Sequence, residues 1–142
     1  LYQQAEVMPE VEVVTNQAYE LLSVAKVAVV TSGTASLETA LFDVPQVVCY
    51  QTSWLTYWTG RMLIKVPYLS LVNLIAEGQV VPELIQRDYN KENLIKHLSN
   101  LLEEGPERHQ QLAGYRKVKT LLGNRNAPQE TARLIVTYFG RQ

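Results

Sequence analysis

Eight consecutive residues, Thr31-Ser32-Gly33-Thr34-Ala35-Ser36-Leu37-Glu38, set hydroxyl, glycine and carboxylate groups where a short apolar run, Val27-Ala28-Val29-Val30, gives way to a segment of helical character. A strand that ends this way at a helix start makes an anion site. The N–H groups of the first helical turn have no partner inside the helix, and the helix dipole adds roughly half a positive charge there. Gly33 lets a ligand approach the backbone, while Ser32, Thr34 and Ser36 offer hydroxyl donors around Ala35. Glu38 follows Thr34 by about one turn, where a carboxylate can accept hydrogen bonds from a sugar diol. A ligand with both phosphate and ribose is most simply a nucleotide. The plainer reading is that Ser or Thr at a helix start is an N-cap and that the Glu complements the dipole. No G-x-G-x-x-G and no G-x-x-x-x-G-K-[ST] occurs in the chain, which removes the main support for dinucleotide and P-loop readings.

Such a loop needs strands and helices in alternation to hold it. Val11-Glu12-Val13-Val14-Thr15 alternates well enough for a strand, and Asn16 can cap a helix to about Val24, with Ala18, Leu21, Leu22 and Ala25 as its apolar stripe. A second strand is expected over residues 26–30, a helix over 34–42 ended by Pro45, and a third strand at Gln46-Val47-Val48-Cys49-Tyr50. Strands separated by helices of about ten residues indicate βαβ units and a parallel sheet, and near-continuous apolar runs fit strands covered on both faces. Ser53 can cap a helix reaching residue 64 or 65. A short strand is expected over 68–71 and a short helix from Pro82 to Gln86. Asn90 can cap a helix to Leu102, Pro106 opens one to about Leu122, and Pro128 begins a final amphipathic helix carrying Ala132, Ile135, Val136 and Phe139. The first half thus reads as α/β and the second as mostly helical, in one domain.

A chain of 142 residues can bury a real core, and 46% hydrophobic with 19% charged residues argues against disorder. Thirteen Lys and Arg against fourteen Asp and Glu leave no strong field, so nucleic acid is not an expected partner. The single Cys49 lies in an apolar run and reads as a buried strand thiol; alone, it excludes an internal disulfide. His97 and His109 have no metal-ligand spacing to each other or to Cys49, so no metal is expected, and no Ser-His-Asp or Cys-His set can be assembled. No signal peptide and no run of 18 apolar residues is present. The opening Leu1-Tyr2-Gln3-Gln4, without an initiator Met, points to a fragment, a processed product or a trimmed chain.

Trp54, Trp58 and Met62 lie four apart and would share one helix face, with Arg61 and Lys65 on a neighbouring stripe. Such a face either packs into a core or meets acyl chains and anionic headgroups. Asn73, set among Ser70-Leu71-Val72 and Leu74-Ile75-Ala76, either satisfies loop backbone groups or holds a ligand with its amide. Gln79 and Glu83 lie downstream, within reach of a ligand spanning the strand ends. Ligands of open α/β sheets collect at the carboxyl ends of strands, where residues 31–36, 51–53 and Asn73 would converge.

Taken together, Ser32-Gly33-Thr34-Ala35-Ser36-Leu37-Glu38, Pro45-Gln46-Val47-Val48-Cys49-Tyr50 and Tyr68-Leu69-Ser70-Leu71-Val72-Asn73-Leu74-Ile75-Ala76 resemble lipid-A-disaccharide synthases, from near Glu6 to the final helix. The resemblance implies a glycosyltransferase-B architecture of two Rossmann-like domains. This chain would be part of the C-terminal, UDP-sugar-binding domain: a Rossmann-like three-layer parallel sheet with extra C-terminal helices. It implies transfer from UDP-2,3-diacylglucosamine to 2,3-diacylglucosamine 1-phosphate, releasing UDP, at the cytoplasmic face of the inner membrane. UDP-sugar is a substrate, and no cofactor is implied. The resemblance assigns residues 32–36 to the diphosphate, Glu38 to the ribose and Asn73 to the donor region. Val72 stands where the family often has Pro. The catalytic base is expected in the part of the family's length with no counterpart here, so this chain alone should not catalyse transfer.

In a 3-2-1-4-5-6 sheet this chain would keep strands three to six, leaving a gap between residues 11–15 and 26–30. The first strand is then expected to pair directly with the second or to recruit another molecule, such as a second copy in a homodimer. Two other readings stay open. A UDP-N-acetylglucosamine 2-epimerase has a similar helix start, but its doubled Gly and doubled Glu are absent and it gives no reason for the Trp54/Trp58/Met62 face. A non-catalytic nucleotide-binding or assembly module of flavodoxin-like shape would be complete at this length.

Overall fold

The run Gln46-Val47-Val48-Cys49-Tyr50 forms the middle strand of a three-stranded parallel sheet in the computed structural model, which describes residues 11–31, 33–53, 67–123 and 127–139. In chain order the elements are α1 (Ala18–Val24), β1 (Ala28–Thr31), α2 (Thr34–Leu41), β2 (Gln46–Tyr50), α3 (Leu71–Ala76), β3 (Glu83–Ile85), a 3-10 turn (Gln86–Asp88), α4 (Lys91–Leu102), α5 (Pro106–Leu122) and α6 (Ala127–Phe139). The strands lie in the order β1-β2-β3, with Val30 opposite Val48 and Val48 opposite Glu83.

Helices cover both faces of β2. On one face Val48 meets Ala40 of α2, Val72 and Ala76 of α3, Val81, and Tyr115 and Val118 of α5. On the other, Val47 and Cys49 meet Leu84 of β3 and Leu94, Leu98 and Leu101 of α4. Burying each valine contributes about 1.5–3 kcal/mol, and this double cover is why β2 is an unbroken apolar run. Burial also pushes the Cys49 thiol up, which disfavours the thiolate a nucleophile would need. β1 instead alternates, with Ala28 and Val30 half-buried and Val29 and Thr31 exposed.

Parallel pairing leaves a backbone debt at the ends of β2. Its N–H and C=O groups on the β3 side find a ladder partner at Val48, which donates to the Pro82 carbonyl at 2.9 Å. Gln46, two residues earlier, overhangs β3, and a side chain takes the missing strand's place. Gln111 of α5 accepts from the Gln46 N–H at 2.6 Å and donates through Nε2 to the Gln46 carbonyl at 3.1 Å. Gln46 Nε2 in turn donates to the Ser36 carbonyl and to the Tyr115 hydroxyl. The Tyr115 hydroxyl is placed to donate to the Val44 carbonyl at 3.1 Å or to Gln111 Oε1 at 2.9 Å. Gln46, Gln111 and Tyr115 are all buried. Gln46 Oε1 is the buried side-chain atom that lacks a partner among the described residues.

Several expectations need correction. Residues 11–15 form no strand and are exposed, because alternation alone gives a strand neither a ladder partner nor a face to cover. They therefore do not pair with the outer edge of β1. The helix expected from Asn16 starts at Ala18 with Gln17 as an unbonded cap, since Asn16 takes φ 57 in the turn before it, and it buries nothing. No strand forms over 68–71; Ser70 there caps α3, its hydroxyl accepting from the Asn73 N–H. Pro82 opens no helix but leads into β3, because residues 83–85 find an open edge on Val48, Cys49 and Tyr50. The helices at 34–41, 91–102 and 106–122 form where expected, the second capped by Asn90. The final helix forms too, with Ile135, Val136 and Phe139 exposed. The helix expected from Ser53, with Trp54, Trp58, Arg61 and Met62, lies outside the described residues.

Replacing Gln111 by Leu keeps bulk but strands the buried N–H and C=O of Gln46, and is expected to cost about 2–4 kcal/mol in urea unfolding. Tyr115→Phe should cost less, about 1–2 kcal/mol. Burial holds the Tyr115 phenol above its usual range, so the unfolded chain releases that proton first, and stability should fall as pH rises past about 10. Tyr115→Phe should flatten that alkaline loss.

Candidate functional site

All three strands run the same way, so the loops after Thr31, Tyr50 and Ile85 meet at one edge of the sheet. The first of these loops is built on Gly33, the N-cap of α2, at φ 112 and ψ −152. This region of backbone space is essentially closed to residues with a Cβ, which is why glycine stands there. A glycine cap has no side chain, and α2 begins with no side-chain hydrogen bond to its first turn. Helices α3 and α4 differ, since Ser70 and Asn90 spend a side-chain oxygen on that task. The N-cap reading is thereby set aside for Thr34 and Ser36, which lie inside α2, and among the described residues no side chain bonds the N–H groups of its first turn.

The other expected site residues divide. Thr34 is exposed at the first helical position and Ala35 is half-buried beside it. Ser36 is turned inward: it is fully buried and its hydroxyl donates to the Gly33 carbonyl at 2.9 Å, so it shapes the loop from below. Glu38 is half-buried on the next turn of α2, and no bond to its carboxylate is formed among the described residues. Ser32, Trp54, Trp58, Arg61 and Met62 lie outside the described residues.

Asn73 is buried in α3 and its amide is committed throughout. Oδ1 accepts from the Val80 and Val81 N–H groups at 2.7 and 2.9 Å, and Nδ2 donates to the Val81 carbonyl and to Glu83 Oε1, each at 2.9 Å. The Glu83 carboxylate also accepts from the N–H groups of Leu69 and Ser70 and from the Ser70 hydroxyl at 2.7 Å. Of the two alternatives for Asn73, backbone satisfaction is the one its contacts perform. Glu83 is likewise spent on ordering the turn before α3.

Gln79 sits at the opposite, amino edge. There it lines a cavity of about 220 Å³ with Val81, His97, Leu101, Glu107 and Gln111. His109 is exposed beside Glu104 at 3.6 Å. Among the described residues, no three His, Cys, Asp or Glu side chains gather to hold a metal, and no helix is long and apolar enough to cross a membrane. One residue at the carboxyl edge escaped the reading of the sequence. Gln86, expected at a helix end, stands at φ 52 and bonds the Thr52 backbone twice. A glutamine just past a short apolar run was its only signal.

The family model described as lipid-A-disaccharide synthetase matches residues 2–136. Among curated relatives, a lipid-A-disaccharide synthase of Anaeromyxobacter dehalogenans is 39% identical over 87% of this chain and 32% of its own length. That of Glaesserella parasuis is 48% identical over 72% of this chain and 27% of its own, and that of Geobacter sulfurreducens 32% identical over 94% and 35%. The chain thus spans about a third of the length of the relatives it matches.

Gly33→Ala tests the loop. The added Cβ meets nothing within 4 Å, so any loss is backbone strain alone. Thermal or urea unfolding without ligand should show a cost of about 1–3 kcal/mol; wild-type stability would mean that the loop accommodates a side chain.

Proposed function

The chain belongs to the lipid-A-disaccharide synthase family, and from that premise we propose that it is the UDP-sugar-binding part of a glycosyltransferase, from the C-terminal domain of a two-domain enzyme. The proposed reaction joins UDP-2,3-diacylglucosamine to 2,3-diacylglucosamine 1-phosphate, releases UDP and builds the lipid A disaccharide. The observation that carries this reading is the start of α2, a helix terminus with no side-chain cap among the described residues, on a glycine-only turn at the carboxyl edge of a parallel sheet.

In this reading the first-turn N–H groups of α2, with the Thr34 hydroxyl and that of Ser32, bind the UDP diphosphate. They stabilise charge as it gathers on the leaving group, a role preorganised dipoles fill without moving. Gly33 brings the backbone close, Ala35 keeps the turn small, and Ser36 fixes its shape through the Gly33 carbonyl. Glu38 takes the ribose diol. Asn73 serves the donor side indirectly, through the turn it orders with Ser70 and Glu83. Trp54, Trp58, Met62 and Arg61 are proposed to contact acyl chains and anionic headgroups, with the whole enzyme peripheral to the cytoplasmic face of the inner membrane. A homodimer belongs to the same proposal. No residue of this chain is proposed as the catalytic base.

A titration of the chain with UDP, followed by amide NMR, should give saturable shifts concentrated at residues 31–38. Glu38→Ala removes charged hydrogen bonds to the ribose and should weaken binding about tenfold or more. Shifts elsewhere, or an unaltered affinity in the variant, would remove the ribose assignment.

A further inference from the structure

The β2–β3 ladder ends where Tyr50 pairs with Ile85. Peptide groups alternate sides along a parallel strand, so the next N–H and C=O on the β3 side belong to Thr52. The chain of β3 is no longer there to meet them, because it turns at Gln86, at φ 52, into the 3-10 turn. The Gln86 side chain stands in for the absent rung. Its Oε1 accepts from the Thr52 N–H at 2.9 Å, and its Nε2 donates to the Thr52 carbonyl at 3.0 Å. One planar amide thus satisfies both groups and holds the backbone leaving β2 in line.

Gln111 makes the same pair of bonds at the amino end of β2, but its setting differs. It is buried in the core with Gln46 and Tyr115, whereas Gln86 is only half-buried and the residues it orders, Gln51 to Ser53, are exposed or half-buried. The clamp at Gln86 seals no core. What it fixes is a loop at the edge where α2 begins.

We propose that Gln86 is a positioning residue of the donor site, fixing the backbone at Thr52 on the carboxyl edge of the sheet, the edge at which α2 begins. The proposal rests on the reading of that edge as the UDP site. Removing the amide should leave the fold standing and loosen the loop, so that ligand binding must first order it.

The test uses the chain itself, with UDP as probe, in Gln86→Ala, Gln86→Met and Gln86→Glu. None of the three is glycine, so the left-handed backbone strain is retained and the amide alone is lost. In Gln86→Ala and Gln86→Met the Thr52 amide should exchange with solvent at least tenfold faster and UDP affinity should fall about tenfold, with the melting temperature within a few degrees of wild type. The Glu variant, whose carboxylate accepts from the Thr52 N–H but offers no proton to its carbonyl, should fall between, and it decides the matter if the others do not fold. Unchanged exchange at Thr52, or lost protection with undiminished UDP affinity, would overturn the proposal. A wild-type chain that binds no UDP would instead overturn the nucleotide reading of the edge, and the positioning role with it.

Discussion

A buried peptide group must be hydrogen-bonded, and the central strand β2 has more of them than its neighbours can satisfy. β3 is three residues long against five in β2, so the backbone at Gln46 and at Thr52 projects past it. Two glutamine carboxamides, from Gln111 and Gln86, close those gaps with paired donor and acceptor bonds. An amide has the same donor and acceptor pair as a peptide, which is why it can replace one. The arrangement ties α5 to the sheet at one end and the 3-10 turn to the loop after β2 at the other.

The two ends of β2 are finished differently, and the difference separates structure from chemistry. At the amino end Gln46, Gln111 and Tyr115 are buried together, with Gln46 also reaching the Ser36 carbonyl under the α2 loop. That contact links the core network directly to the underside of the candidate site. At the carboxyl end Gln86 is only half-buried, and among the described residues no side chain caps the first turn of α2, whose N-cap is Gly33. The fold therefore supports the loop from below, where the Ser36 carbonyl and hydroxyl are bonded, and a helix start held this way suits a ligand with negative charge.

The family's motif residues prove to be of two kinds. Gly33 makes the turn at the carboxyl edge and Thr34 is exposed there, whereas Ser36 and Asn73 are buried and bond the backbone around it. Asn73, Ser70 and Glu83 form a closed set in which every amide atom of Asn73 has a protein partner. Within one motif, then, some residues stand exposed while others hold the backbone beneath them, and residue type alone does not distinguish the two kinds.

Local sequence determined much of this chain. The β2 run, the helix from Thr34, the Asn90 cap and the Pro106 start are decided within a few residues, by apolar spacing, hydroxyl or amide caps and the fixed φ of proline. The glycine-centred turn at residue 33 was legible for the same reason. Tertiary structure decided what depends on a partner. Residues 11–15 alternate like a strand but form none, while 83–85, read as helix, became β3 because Val48, Cys49 and Tyr50 presented an edge. The inward turn of Ser36 and Asn73, and the pairing of Gln111 with Gln46 and Gln86 with Thr52, join residues as many as 65 positions apart. A strand's existence and a polar side chain's partner are set by what lies across space, so neither is written in the neighbouring residues.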